Sequence, residues 1–247
     1  MSIVTPEQRL QFETSGYFLL ERALSAEQLK VMRDVCAHGI ERIHARMDAE
    51  GVDTIDISHR NTRYFVSEMF RESEALRDIV LGDLFADICR ATIGGTAFLF
   101  LEQFVVKAAE QGLKFGWHQD SGYLPLKHKP YVTCWAALDD VNEQNGAIAV
   151  LPYERAGTRT RIEHWREPGT NDMIGYSGED PGIVVSAPAG SVIVFSSTLL
   201  HRSGANTTAT PRRAWIAQYS PDPILYEDGR PRRNAVPFLA DGGKLVA

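Results

Sequence analysis

The chain has 247 residues, 44% of them hydrophobic and 23% charged, with a formal net charge of -6. This is enough chain for one domain with a full core, of ordinary globular composition, and its acidic balance weighs against a nucleic-acid partner, whose domains carry a basic face. No run approaches the roughly 18 apolar residues of a membrane span. "MSIVTPEQRLQF" lacks the basic-then-apolar order of a signal segment, so no membrane partner and a cytoplasmic location are expected. Cys36, Cys89 and Cys134 are odd in number and scattered, so neither a disulfide framework nor a cysteine zinc site is indicated.

In chain order, "TPEQRLQFETSG" predicts a helix capped by Thr5, with Glu7 and Gln8 behind the cap and Gly16 at its end. "GYFLL" predicts a short strand. A second helix starts at Ser25, with Leu29, Met32, Val35 and Cys36 at helical spacing. "ESEALRDIVLGDLFADICRATIG" predicts further helix, with Leu76, Ile79, Val80, Leu84 and Ile88 on one stripe. After Gly95 the texture changes. "TAFLFLEQFVVK", "YVTCWAALDDV", "AIAVLPY", "GIVVSAPAGSVIVFS" and "RRAWIAQYS" are short β-branched and aromatic runs, punctuated by Gly, Pro, Asn and Asp. Helices followed by many short strands predict an α+β domain built on a barrel or sandwich.

No linker or repeat divides the chain, so a single domain over 1–247 is expected. Residues 1–95 would be mainly helical support, 96–222 the β core and 223–247 a C-terminal tail. Residues 154–182 form the longest polar interruption, and a loop of that length in a compact domain is usually functional. Its arginines, Arg155, Arg159, Arg161 and Arg166, read either as a solvated face or as a lid that recognises an anionic substrate.

The chemistry centres on "WHQDSGYL", residues 117–124, where His118 and Asp120 stand two apart. Strand alternation would turn both to one side, with Gln119 as the spacer. Two ligands cannot hold a catalytic metal, whereas two His and one carboxylate on one face leave open positions on Fe(II). Of the seven histidines, His201 has the best setting: the apolar run "SVIVFS" leads into it and a polar turn follows. The chain has no G-x-S-x-G elbow, no phosphate-binding G-x-x-x-x-G-K-[ST] loop and no H-E-x-x-H.

His118-Gln119-Asp120, the "NGA" and "LP" of "NEQNGAIAVLPYERAGT", and "HRSGANTTATPRR" in this order resemble the phytanoyl-CoA dioxygenase family. "QFETSGYFLLERALSAEQL" adds to the resemblance near the N-terminus. It implies a double-stranded β-helix (jelly-roll or cupin-like) barrel, with the N-terminal helices packed on one sheet. It implies Fe(II) on His118, Asp120 and His201, with 2-oxoglutarate and O₂ as cosubstrates. The family's carboxylate-binding arginine falls eleven residues past the distal His, here Arg212. A carboxylate suits the planar guanidinium fork. Arg213 would point the other way, since only one of the two can face the interior. By the same resemblance Ser203 helps hold that carboxylate, Gln103 and Lys107 reach the cosubstrate from one strand face, and Trp135 lines the site.

The activity so implied is hydroxylation of an unactivated C–H bond of a small molecule, with release of succinate and CO₂. An aspartate at 120 favours oxygenation over halogenation, because related halogenases carry Ala or Gly there. Desaturation, epoxidation and rearrangement use the same triad. Two other classes fit fewer of the residues: a non-catalytic metabolite-binding or sensor protein on the same barrel, and a zinc-dependent isomerase or hydrolase. With no separate CoA-binding feature, a small free metabolite or biosynthetic intermediate is the expected substrate.

Overall fold

The computed structural model describes residues 2–110, 114–168, 170 and 172–245. Helix α1 (Pro6–Ser15) leads into β1 (Tyr17–Leu20) and α2 (Ala26–Glu50). Both helices open on a reciprocal capping box, Thr5 with Gln8 and Ser25 with Gln28, which satisfies two otherwise orphaned backbone donors. Three short strands follow, β2 (Thr54–Ile55), β3 (Ser58–His59) and β4 (Arg63–Ser67). The stripe expected as one helical stretch is two helices, α3 (Glu74–Val80) and α4 (Asp83–Thr92). They break at Gly82, where a Cβ would stand 2.9 Å from the carbonyl oxygens of Asp78 and Ile79.

The β part runs β5 (Ala97–Lys107), β6 (Phe115–His118), β7 (Val132–Ala137), β8 (Ile148–Leu151), the single turn α5 (Tyr153–Ala156), β9 (Trp165–Arg166), β10 (Met173–Ile174), β11 (Ile183–Val184), β12 (Val192–Ser196), β13 (Leu200–Ser203) and β14 (Arg212–Ser220), then β15 (Val236–Ala240) and β16 (Gly243–Lys244). A major sheet runs β1-β12-β7-β14-β5-β4-β3-β2, and a four-stranded minor sheet runs β11-β8-β13-β6. Every pairing is antiparallel in both.

Alternation along the major strands sorts their side chains. Cys134, Ala136, Val192, Val194, Trp215 and Ala217 pack outward against Met32, Cys36, Phe85, Ile88 and Cys89 of the helices. Trp135, Ile193, Phe195 and Ala214 face inward and meet Ile148 and Val150 of the minor sheet. This is the jelly-roll barrel the sequence implied, with helices on one outer face.

Two segments contribute more to the sheet than expected. Residues 54–67, within the part read as mainly helical, extend the major sheet beyond β5. Residues 223–247, read as a tail, supply β15, which pairs with β5; residues 246 and 247 lie outside the described residues. The register of β5 shifts between Leu99 and Leu101, which leaves Phe100 as the extra residue of a bulge. Its carbonyl accepts the Asn234 amide at 2.9 Å.

Candidate active site

Strands β6 and β13 are neighbours in the minor sheet, and His118 and His201 are direct cross-strand partners. Their rings lie 4.2 Å apart, centroid to centroid. Beyond His118 the strand ends. Gln119 stays extended, with φ -108° and ψ 142°, and Asp120 opens a 3-10 turn that runs to Tyr123. The two-residue alternation therefore carries to Asp120 even though β6 does not. One potential ligand atom each of His118, Asp120 and His201 lies within 4.8 Å of the others, and among the described residues these three form the group that fits a metal ion.

The surroundings aim the ligand atoms. The His118 Nδ1 donates to the Gly116 carbonyl at 2.8 Å, and the His201 Nδ1 to the Leu199 carbonyl at 3.1 Å. A carbonyl only accepts, so each proton sits on Nδ1 and each Nε2 lone pair is left for a metal. Burial, then the neighbouring His201, hold the His118 imidazole well below its ordinary pKa, in the neutral form a metal needs. Asp120 Oδ2 accepts from the Thr133 hydroxyl at 2.6 Å and the Gln218 amide at 3.0 Å. Oδ1 is left facing His201 Nε2 at 3.6 Å. Two imidazoles and a carboxylate on one face are the donor set of a non-heme iron site, and the group fits an iron-binding site.

Toward the other end of the barrel interior stands Arg212, 2% exposed, with its guanidinium 5.5 Å from the Trp135 ring. Its Nη2 donates to the Gly146 carbonyl at 3.3 Å, while Nε and Nη1 are buried with no partner. Burial lowers its pKa to about 10, so it is still charged at neutral pH. A buried cation with two idle donors is costly unless an anion completes it, and a carboxylate matches that fork. Gly146 is the glycine of the "NGA" motif. It sits at φ +77°, and a Cβ there would lie 2.5 Å from the Gly204 carbonyl, so the turn beneath Arg212 requires glycine.

The other expected residues divide. Ser203 and Trp135 line the same cavity as the triad and Arg212, and so does Gln103, whose amide donates to Ser67 Oγ at 2.7 Å. Lys107 does not reach the cavity wall. Its Nζ donates to Ser203 Oγ at 2.7 Å and to the Gly204 carbonyl and lies 5.1 Å from the Phe115 ring, so it acts on the site through Ser203 and Phe115. Burial, then Arg212 and Arg63, lower its pKa to about 6.

The cavity, about 360 Å³, also exposes residues that sequence reasoning passed over. Arg63 is 7% exposed, lies 5.7 Å from the rings of both Phe65 and Phe115, and faces Asp172 at 3.8 Å. Arg63, Lys107 and Arg212 are cross-strand partners in one row over β4, β5 and β14. Gln218 and Thr133 brace the ligand carboxylate. The inward period of β7 and β14 could have marked these two, since Thr133 and Trp135 share one face and Arg212 and Gln218 the other strand's inner face.

The 154–182 segment, of which residues 169 and 171 lie outside the described residues, is tied to the metal-bearing strand. Gln119 is fully buried. Its amide donates to the carbonyls of Thr160 at 3.0 Å and Thr198 at 2.5 Å, and its Oε1 accepts from the Ile162 amide at 2.9 Å. Its backbone N–H donates to His164 Nε2 at 2.9 Å. The loop arginines are not on the cavity wall. Arg155 pairs with Asp180, and Arg159 donates to the Glu13 carbonyl at 3.0 Å.

The phytanoyl-CoA dioxygenase (PhyH) profile matches residues 12–214, most of the chain. The chain belongs to this family. It is a family of iron- and 2-oxoglutarate-dependent oxygenases. A probable phytanoyl-CoA dioxygenase of Caenorhabditis elegans is 23% identical over 242 residues, covering 90% of this chain and 77% of that protein. A probable alpha-ketoglutarate-dependent hypophosphite dioxygenase of Stutzerimonas stutzeri is 25% identical over 226 residues, covering 87% and 78%. The solved structure of SnoK, a non-heme alpha ketoglutarate dependent carbocyclase from nogalamycin biosynthesis, superimposes with a TM-score of 0.72 at 21% identity, over 100% of this chain and 99% of that one. That likeness confirms the fold. No helix among the described residues is long and apolar enough to cross a membrane.

Proposed function

We propose that the chain is an Fe(II)- and 2-oxoglutarate-dependent dioxygenase that hydroxylates a C–H bond of a small molecule. The observation that carries this reading is the pairing of two unmet demands in one cavity. One is a His-Asp-His face whose ligand atoms gather within 4.8 Å of one another, and the other is a buried Arg212 with two idle donors. A 2-oxo acid with a second carboxylate answers both.

His118, Asp120 and His201 would hold the iron, which with 2-oxoglutarate and O₂ supplies the oxidising power for an unactivated C–H bond, leaving succinate and CO₂. Arg212 takes the far carboxylate of the cosubstrate. Ser203, kept in place by Lys107, and Gln103 and Trp135 complete that end. Thr133 and Gln218 hold Asp120 by its Oδ2, so that Oδ1 is the oxygen it would offer a metal. Phe195, 4.6 Å from the His201 ring, keeps the distal ligand in an apolar setting. The 154–182 segment covers the site and excludes water, tethered by Gln119. The substrate is a small molecule that enters beside Asp120, and a carboxylate at that position favours hydroxylation over halogen transfer.

The test is spectroscopic as well as catalytic. Anaerobic Fe(II) with 2-oxoglutarate should give the wild type a weak visible charge-transfer band, and His201→Ala should lose both the band and most of the iron affinity. A variant that keeps both overturns the ligand assignment. Substrate-stimulated succinate formation across a metabolite library then separates an oxygenase from a binding protein.

A further inference from the structure

The cavity carries more positive charge than the proposed chemistry uses. Its wall presents Arg63, Arg202, Arg212, Arg232 and Arg233 against two acids, Asp120 and Asp172. Asp120 is a ligand, Asp172 faces Arg63, and Arg212 awaits the cosubstrate. Arg202 donates to the Pro181 carbonyl at 3.0 Å and lies 5.1 Å from the Trp117 ring. Arg232 and Arg233 remain. Neither has an acidic partner among the described residues, and Arg232 rests 5.6 Å over the Tyr226 ring. In a chain with a net charge of -6, two adjacent unpaired arginines turned to one cavity are not a bulk property of its surface.

Their placement is built. The chain leaves β14, reverses through a hairpin closed by the Leu225–Pro231 bridge, and returns with the Arg232 amide donating to the Ile224 carbonyl at 2.9 Å. Asn234 then locks onto the bulge of β5. Its backbone N–H meets the Phe100 carbonyl at 2.9 Å and its Oδ1 accepts from Arg71 at 2.5 Å. Held on both sides, the two arginines sit at the end of the cavity where Phe100, Leu124, Tyr131 and Ile224 form an apolar cluster. The same end lies next to Asp120: Gln218, bonded to Asp120, pairs in register with Leu101 and neighbours the bulge.

We propose that Arg232 and Arg233 form the subsite for an oxyanion, a carboxylate or phosphate, carried by a substrate whose apolar body lies on Phe100, Leu124 and Tyr131. The inference rests on the proposed function only for the identity of the reacting end. The subsite orients the substrate: with the anion at the hairpin and the apolar body on the bulge, the part nearest Asp120 is the one offered to the metal. Anion recognition thus belongs to the C-terminal segment and not to the arginines of 154–182.

Calorimetric titration of the whole chain, with 2-oxoglutarate saturating so that Arg212 is engaged, tests this. The probes are 1-naphthoate, 1-naphthyl phosphate and the neutral 1-naphthol. The wild type should bind an anionic probe about tenfold more tightly than naphthol, the worth of one charge-assisted hydrogen bond. Which anion leads identifies the group. R232Q/R233Q should erase that preference and keep the naphthol affinity, and R233E should reverse it, with 2-oxoglutarate binding unchanged in both. A preference that survives R232Q/R233Q overturns the subsite, and so does a wild type that binds all three probes alike or none. If the wild type fails to bind 2-oxoglutarate, the proposed function falls; the same probes titrated without it still decide the subsite.

Discussion

Arg212 and Arg213 are adjacent in sequence and point to opposite sides of the major sheet. The Arg212 guanidinium is enclosed in the barrel over Trp135, whereas Arg213 reaches outward and holds Asp139 through Nε at 3.0 Å and Nη2 at 2.6 Å. The pairing raises the pKa of Arg213, through its hydrogen bond to Asp139 first, while burial lowers that of Arg212. One side chain is charge-satisfied and the other is not.

Substitution should therefore separate them. Arg212→Gln should raise the 2-oxoglutarate concentration needed for half-saturation by about 10- to 100-fold, the range for losing a charge-assisted pair. Arg213→Gln should leave that requirement alone and cost the fold about 1 kcal/mol or less, as a partly exposed ion pair does. Steady-state titration and urea unfolding of the two variants read these outcomes; equal effects on the cosubstrate would move the role away from Arg212.

Gln119 makes a second prediction. All three of its side-chain bonds are buried or half-buried, and two of them reach the 160–162 stretch. Gln119→Leu leaves backbone groups there without partners, at a cost of about 2 kcal/mol or more. The expected result is a lower unfolding midpoint and faster limited proteolysis within 158–182, with iron affinity nearly kept. Proteolysis at the wild-type rate would mean that the segment is held by other contacts.

What was legible in the sequence follows from how far each signal reaches. The triad could be read because each ligand sits in a local pattern: His118 and Asp120 in an alternating pair, His201 at the end of an apolar strand. Arg212 rests on a motif spacing, and alternation alone then sent Arg213 outward. Alternation also put Gln103 and Lys107 on one face, but not the depth at which Lys107 stops, because Ser203 and Gly204 come from another strand. Arg63, Arg232 and Arg233 were not legible. Their roles depend on which strands become neighbours and in what register, and on a one-residue bulge at Phe100. The strand pairing within 223–247 is hidden for the same reason: polar, glycine- and proline-rich chain gives no hint that its Asn234 completes a bulge carbonyl.

Glu102 gives a prediction about stability. It is fully buried on the helical side of β5, accepting from the Trp215 indole at 2.7 Å and the Phe70 amide at 3.3 Å. Burial raises its pKa from 4.5 to about 7 despite those bonds. The folded state holds this proton more tightly than the unfolded chain, so the contribution is full below pH 4.5 and is lost as pH rises through about 7. The swing is about 3 kcal/mol. Urea unfolding at pH 5 to 8 should show Glu102→Gln gaining on the wild type as pH rises; parallel curves would show that the carboxyl is ionised throughout.

The row of Arg63, Lys107 and Arg212 has a consequence outside catalysis. Lys107, its pKa lowered to about 6, is largely uncharged at neutral pH, but Arg63 and Arg212 stand on either side of it and Asp172 faces Arg63 alone. An anion docked on Arg212 would neutralise the charge left there, and whatever binds only the folded form stabilises it. A dicarboxylate cosubstrate should therefore act as a folding ligand as well as a reactant, with the unfolding midpoint rising as its concentration rises.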